Sequence, residues 1–173
     1  VTAPTSASAA EASAFTLIAT AADPDGDAIA SWSADFTALP AGTIATLTPS
    51  ADRHSATVTW TPRYGDTGSY PITLTASNAR TGSATTTIAV ARTDRAPQAS
   101  AAATATVAEN ATVTVVVSVS DPDHDAIASL NASVSGLPAG ANATFITGAG
   151  NTTGTLTWTP TFDDARAAPY AVT

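Results

Sequence analysis

The feature that most constrains this chain is an internal repeat. Asp23-Pro24-Asp25-Gly26-Asp27-Ala28-Ile29-Ala30-Ser31 returns as Asp121-Pro122-Asp123-His124-Asp125-Ala126-Ile127-Ala128-Ser129, an offset of 98 residues. Leu39-Pro40-Ala41-Gly42 returns as Leu137-Pro138-Ala139-Gly140, and Thr59-Trp60-Thr61-Pro62 as Thr157-Trp158-Thr159-Pro160, both at the same offset. Glu11 and Glu109 share it. Separated blocks held in one register mean duplication of a whole structural unit. The boundary falls in Arg92-Thr93-Asp94-Arg95-Ala96-Pro97, a polar stretch ending in a proline that favours extended backbone. Two units follow, residues 1–93 and 94–173. Ser69-Tyr70-Pro71-Ile72-Thr73 aligns with Pro169-Tyr170-Ala171-Val172-Thr173 after a two-residue insertion. Unit 1 continues past that point through Leu74 to Val90, so unit 2 is expected to lack its last strand or strands, cut short or filled by another chain.

Within each unit, Gly and Pro punctuate short runs of period-2 patterning, the signature of strands. Phe15, Leu17, Ala19 and Ala21 alternate with Thr16, Ile18 and Thr20, and Val113, Val115, Val117 and Val119 repeat the pattern. Ala56, Val58 and Trp60 form a second such face, Tyr70, Ile72, Leu74 and Ala76 a third, and Thr86, Ile88 and Val90 a fourth. No stretch of helical length carries an apolar stripe at 3.6 spacing. The expected fold is all-β, two tandem antiparallel β-sandwiches. Asp66-Thr67-Gly68-Ser69-Tyr70 resembles the tyrosine corner of immunoglobulin-type sandwiches, in which the Tyr hydroxyl bonds backbone across the corner. Its counterpart, Asp164 to Tyr170, is two residues longer. Trp60 and Trp158 share a face with Val58 and Leu156 and are expected in the core, as is Trp32, although Leu130 stands at its place in unit 2. Tyr64, beside Pro62 and Arg63, is expected to be exposed.

The most distinctive chemistry is carboxylate. Six of the fourteen acidic residues lie in the two Asp-Pro-Asp loops: Asp23, Asp25 and Asp27, and Asp121, Asp123 and Asp125. At a separation of about 5 Å and an effective dielectric of 20, each like-charge pair costs about 3 kcal/mol before screening. A divalent cation would reverse that, and Ca2+, which takes six to eight oxygen ligands from flexible loops, suits the set better than Mg2+ or Zn2+. The twelve-residue helix–loop–helix calcium pattern does not apply, because its last ligand position holds Ala34 or Ala132. The alternative is a plain turn, since Asp, Pro and Gly all favour one and Asp bonds its own backbone. Glu11 and Glu109 are further candidate ligands. The strand between Glu11 and Asp23 would span about 33 Å, which sends the two to opposite ends of a unit.

The order Ala-Pro, Glu, apolar strand, Asp-Pro-Asp-Gly-Asp, Leu-Pro-Ala-Gly, Trp-Thr-Pro, Gly-Asp-Thr-Gly-Ser-Tyr resembles the Ig-like domains of bacterial surface proteins, which are similar to dystroglycan-type cadherin-like repeats. The resemblance covers unit 1 fully and unit 2 up to its end. It implies an extracellular or cell-surface location, serial units, and calcium near unit junctions, with Asp94 and Glu109 as candidates there. The expected role is a calcium-stabilised structural or adhesion module whose partners are neighbouring Ig-like units or surface proteins. A carbohydrate-binding accessory module meeting extracellular polysaccharide, and a filament subunit completed by a neighbour's strand, are the alternatives.

Other classes are excluded or disfavoured. A formal charge of −8, with six Arg and no Lys, offers no footprint for nucleic acid or an anionic membrane. No apolar run approaches 18 residues, so direct membrane insertion is not expected. Cysteine is absent, which removes thiolate metal sites, thiol nucleophiles and disulfides. His54 and His124 stand at unrelated repeat positions, Asp163-Asp164 matches an ordinary corner, and no phosphate-binding glycine loop follows a strand; the chain is not expected to be an enzyme. The Asn-x-Ser/Thr sequons at Asn110, Asn131, Asn142 and Asn151 are read as chance products of a Thr- and Ser-rich chain.

Overall fold

The computed structural model describes residues 1–173 and divides them into two compact units, Val1–Thr93 and Asp94–Thr173. Both are built from strands; the one helical element is a three-residue 3-10 turn at Ala149–Asn151.

Unit 1 contains β1 (Ser6–Ala10), β2 (Phe15–Thr20), β3 (Ser31–Asp35), β4 (Ala45–Pro49), β5 (Ser55–Trp60), β6 (Gly68–Ser77) and β7 (Thr81–Ala91). They form one sheet of order β1-β7-β6-β3 and another of order β2-β5-β4. The alternation in sequence becomes alternation in burial. Along β2, Phe15, Leu17 and Ala19 are buried while Thr16, Ile18 and Thr20 are exposed, as a strand with one face on a core requires. Phe15, Leu17, Val58 and Trp60 from the smaller sheet meet Ile72, Leu74, Ile88 and Val90 from the larger one. Ile72, Leu74 and Ile88 have no measurable exposure.

One expectation needs correcting: the sandwich is not wholly antiparallel. β1 runs parallel to β7, with Ser6 opposite Thr87 and Ala10 opposite Ala91. No local turn could have revealed this pairing. The partners are separated by most of the unit, which supplies the long connection that a parallel pair needs.

Unit 2 contains β8 (Gln98–Ala101), β9 (Val113–Ser120), β10 (Thr144–Thr147) and β11 (Thr153–Trp158), in one sheet of order β10-β11-β9-β8. The duplication persists to the level of register. Leu156 faces Val115 as Val58 faces Leu17, and Thr144 faces Thr157 as Thr46 faces Thr59. Ser100 faces Ser118 as Thr2 faces Thr20. The second sheet of the sandwich has no full counterpart in unit 2.

Both tyrosine corners form. The Tyr70 hydroxyl donates to the Asp66 carbonyl at 2.9 Å, and the ring stands edge-on to Trp60 with centroids 5.8 Å apart. The longer corner of unit 2 reaches the same end: the Tyr170 hydroxyl donates to the Asp164 carbonyl at 2.8 Å, and its ring lies edge-on to Trp158 at 5.2 Å. Residues Ala165 to Pro169 of this longer corner are exposed, and Arg166 lies over the Tyr170 ring, its guanidinium carbon 3.5 Å from the centroid. The hydroxyl bond is the separable part of the corner. Tyr70→Phe keeps the ring and removes the donor, and should cost about 1 kcal/mol, read as a lower urea midpoint at unchanged slope.

Candidate functional site

The Asp-Pro-Asp loops are Asx-type turns. Asp23 Oδ1 accepts the backbone N–H of Asp25 at 2.9 Å and of Asp27 at 3.4 Å, while Oδ2 accepts the Asn78 side-chain amide at 2.9 Å. Those donors hold the Asp23 carboxyl below its usual range, the Asn78 amide foremost. The Asp25 and Asp27 residues are exposed. Asp121 repeats the turn, accepting N–H groups from Asp123 at 2.7 Å and Asp125 at 3.2 Å. Gly26 makes the turn at φ 83°, and His124 adopts φ 62° at the same place. A left-handed non-glycine residue costs roughly 1–2 kcal/mol, so the loop conformation survives the loss of the glycine that would adopt it freely.

Asp123 has a further role. Its carboxylate takes the Arg95 backbone N–H at 2.7 Å, the guanidinium Nε at 2.8 Å and Nη2 at 2.7 Å, and Nη2 also reaches the Pro122 carbonyl at 2.6 Å. This bidentate pair, with the Asp123 side chain only 8% exposed, fixes the segment that leads into β8 against the acidic loop of unit 2.

Glu11 is the most buried charged residue of the chain, at 1% exposure. Its Oε1 accepts the N–H groups of Gly65 at 2.8 Å and Thr67 at 3.1 Å and the Thr67 hydroxyl at 2.8 Å. Oε2 accepts the Thr93 N–H at 3.0 Å, and the Thr93 hydroxyl returns a bond to the Glu11 carbonyl at 2.9 Å. The Thr93 N–H contributes most to holding this carboxyl below its ordinary value, against the opposing effect of burial. One side chain thus joins the end of β1, the corner before β6 and the exit from β7.

Of the expected ligand residues, Glu11 and Asp23 lie at opposite ends of unit 1. Glu11 binds the corner that opens β6, and Asp23 binds Asn78, just past its end. In unit 2, Glu109 and Asp94 are exposed. No three Asp, Glu or His side chains converge on a point where they would hold one metal ion. As arranged, Asp23 and Glu11 have both oxygens occupied by protein donors, and Asp123 is engaged by Arg95, so the carboxylates are not disposed as a ligand shell. Sequence spacing did not disclose the donors because they lie 54 to 82 residues away from Glu11.

The aromatic residues form no flat exposed platform of tryptophans. Trp60 and Trp158 are 3% and 8% exposed, and the half-buried Trp32 donates its indole N–H to the Arg53 carbonyl at 2.8 Å. Tyr64 is exposed, and so is Phe162, which stands at the matching repeat position and was not singled out from sequence.

Two sheets packed face to face, alternating inward residues and a tyrosine corner that closes on its own backbone define unit 1 as an immunoglobulin-type β-sandwich. More narrowly, residues 1–91 match the bacterial Ig domain family, and the chain belongs to it. No curated protein matches the chain. Among solved structures, it is similar to the extracellular cadherin domains 3–6 of protocadherin gamma B2, at 13% identity over 91% of this chain and 38% of that one, with a TM-score of 0.49. Titin domains I67–I69 share 14% identity over 99% of this chain and 61% of theirs, at a TM-score of 0.41. An endo-fucoidan hydrolase of glycoside hydrolase family 107 shares 15% identity over 95% of this chain, at a TM-score of 0.42; the chain spans 24% of its length.

Proposed function

We propose that this chain is a non-catalytic structural or adhesion module of an extracellular or cell-surface protein, in which Ig-like units follow one another and present sheet faces and loop tips to neighbouring units or surface proteins. Membership in the bacterial Ig domain family supports this reading, and the treatment of charge carries it. The best-placed carboxylates are engaged by backbone N–H groups, the Asn78 amide and one arginine, in the loops and corner of unit 1, at its exit and at the start of unit 2. Charge used this way fixes loop geometry, which a spacer needs and an active site does not.

A second reading makes calcium the stabiliser, and the return of all three aspartates at the same offset favours it. It requires Asp23 to exchange its N–H donors for a cation and Asp25 and Asp27 to turn inward. Calorimetric melting in millimolar Ca2+ and in chelator separates the two. On the hydrogen-bond reading the curves superimpose, and Asp23→Ala lowers the unit 1 midpoint more than Asp25→Ala does. A midpoint that falls in chelator, with Asp23→Ala and Asp25→Ala equally harmful, would establish calcium instead. Extracellular polysaccharide remains a partner on the adhesion reading only by way of exposed side chains such as Tyr64 and Phe162, not the tryptophans.

A further inference from the structure

One recess sets unit 1 apart from its repeat. On the outer face of the smaller sheet, Thr16, Thr59 and Thr46 stand in one row across β2, β5 and β4. Thr61, Ile44 and Arg63 join them around a cavity of about 470 Å³, within the range of small-ligand clefts, about 300–1,000 Å³. The Thr46 and Thr59 hydroxyls share a hydrogen bond of 2.7 Å. A hydroxyl has one donor and two acceptor positions, so this pair still offers a hydrogen and lone pairs to a ligand, and Thr16 and Thr61 add two more hydroxyls. Ile44, 78% exposed, is an apolar side chain left in water beside them. The Arg63 guanidinium enters no ion pair or hydrogen bond of the chain, while the Arg63 backbone is fixed by the N–H it donates to Asp66 at 2.7 Å. Gly42, at φ 76°, leaves the guanidinium its place, since a Cβ there would stand 3.4 Å from Nη1. The matching recess of unit 2 is about 120 Å³ and has Asp164 in its lining. Asn142 and Thr161 stand there at the repeat positions of Ile44 and Arg63. The frame is duplicated, but the apolar and cationic groups belong to unit 1 alone.

We propose that this recess binds an anionic sugar unit of an extracellular polysaccharide, one that carries a carboxylate or a sulfate. The inference rests on the adhesion reading above and gives it a partner. Arg63 pairs with the anionic group, and a guanidinium does so by parallel N–H···O bonds that fix orientation as well as charge. The threonine row exchanges hydrogen bonds with ring hydroxyls, and Ile44 packs on the C–H face of the ring. An acidic sugar presents all three chemistries within one ring, whereas an acidic peptide supplies the carboxylate and leaves the threonine row to water. The formal charge of −8 repels a polyanion at long range. At physiological ionic strength that repulsion is screened beyond about 8 Å, and a contact pair is not. Asp66, in the same corner, is engaged by the Arg63 N–H.

The test is retardation of the full 173-residue chain in native gels containing polygalacturonate, dextran sulfate, neutral dextran or polyglutamate. The proposal expects retardation by at least one of the two acidic polysaccharides, their relative strength showing whether carboxylate or sulfate is the preferred anion. Neutral dextran and polyglutamate should retard the chain far less. Arg63→Gln should weaken binding by about tenfold or more, as loss of a charge-assisted hydrogen bond does, and Ile44→Ser should weaken it with the charge intact. Arg80→Gln, in the turn between β6 and β7, should leave binding unchanged. All three side chains are exposed, so each variant should melt with the wild type, and a loss of binding then reads the recess and not the fold. No retardation by either acidic polysaccharide, equal retardation by neutral dextran or by polyglutamate, or equal losses in Arg63→Gln and Arg80→Gln would overturn the proposal. Those results would leave the structural role standing, since it is judged by the melting of the loop variants and not by binding.

Discussion

Glu11→Ala is expected to be among the most damaging substitutions in unit 1, costing about 3–5 kcal/mol. The replacement removes the acceptor for the Gly65, Thr67 and Thr93 N–H groups together. Donors left without partners in this part-buried corner each carry a penalty of up to about 1–3 kcal/mol, less where water reaches the exposed Gly65 and Thr67. Glu11→Gln keeps one acceptor oxygen of full geometry and loses the charge; it should cost about 2 kcal/mol. The pH dependence follows from the sign of the shift. Glu11 is held below its ordinary carboxyl value in the folded state, so folding is favoured by its ionisation. That contribution is complete above the ordinary carboxyl range and is lost as pH falls through the depressed folded value. Asp23, Asp35 and Asp52 are shifted the same way, so acid destabilisation alone does not identify the residue. The decisive measurement is the difference between wild type and Glu11→Gln. It should be largest at neutral pH and shrink in acid, and a gap independent of pH would show that the carboxylate charge plays no part.

The second large effect is in the core. Leu74→Ala at the centre of β6 removes a side chain with no exposure, surrounded by both sheets. Large-to-small changes at such positions cost about 2–5 kcal/mol, because the lost transfer energy is joined by a cavity that rigid neighbours only partly fill. The repeat supplies an internal control. Leu17 and Val115 occupy the same position in successive units, but Leu17 is buried and Val115 is half-buried. Leu17→Ala should fall in the same range as Leu74→Ala, whereas Val115→Ala should cost roughly 1 kcal/mol or less, since less apolar area leaves water there. Separate calorimetric transitions for the two units would report each change on its own. Equal losses at Leu17 and Val115 would mean that the inner face of β9 is covered as fully as that of β2.

Much of unit 1 was legible from residues alone, for a physical reason that can be located. A strand on a two-layer core writes its burial into every second residue, and Phe15-Thr16-Leu17-Ile18-Ala19 could hardly do otherwise. The same holds for Val58 and Trp60, and for Ile72 and Leu74. Asp66 and Tyr70 are close enough in sequence for their corner to be visible as a motif. The acidic loops were read from sequence as candidate calcium loops with a plain turn as the alternative, and Asp23 accepting the amides of Asp25 and Asp27 is the local interaction that those residue types favour. The distant partners of their charge were not legible. Asn78 approaches Asp23 from 55 residues away, and Arg95 approaches Asp123 from 28. Patterning does not encode which donor arrives at a carboxylate, because many surface and loop residues could serve.

By itself, the sequence determined the duplication, the all-β class, the inward face of each main strand and the corner tyrosines, since these depend on side-chain period and on contacts a few residues apart. Only the tertiary structure decided that β1 lies parallel to β7 and that Glu11 closes the corner onto Thr93. Those outcomes arise between segments brought together after long loops close, where the chain's own alternation leaves several pairings equally acceptable and the satisfaction of buried polar groups selects one.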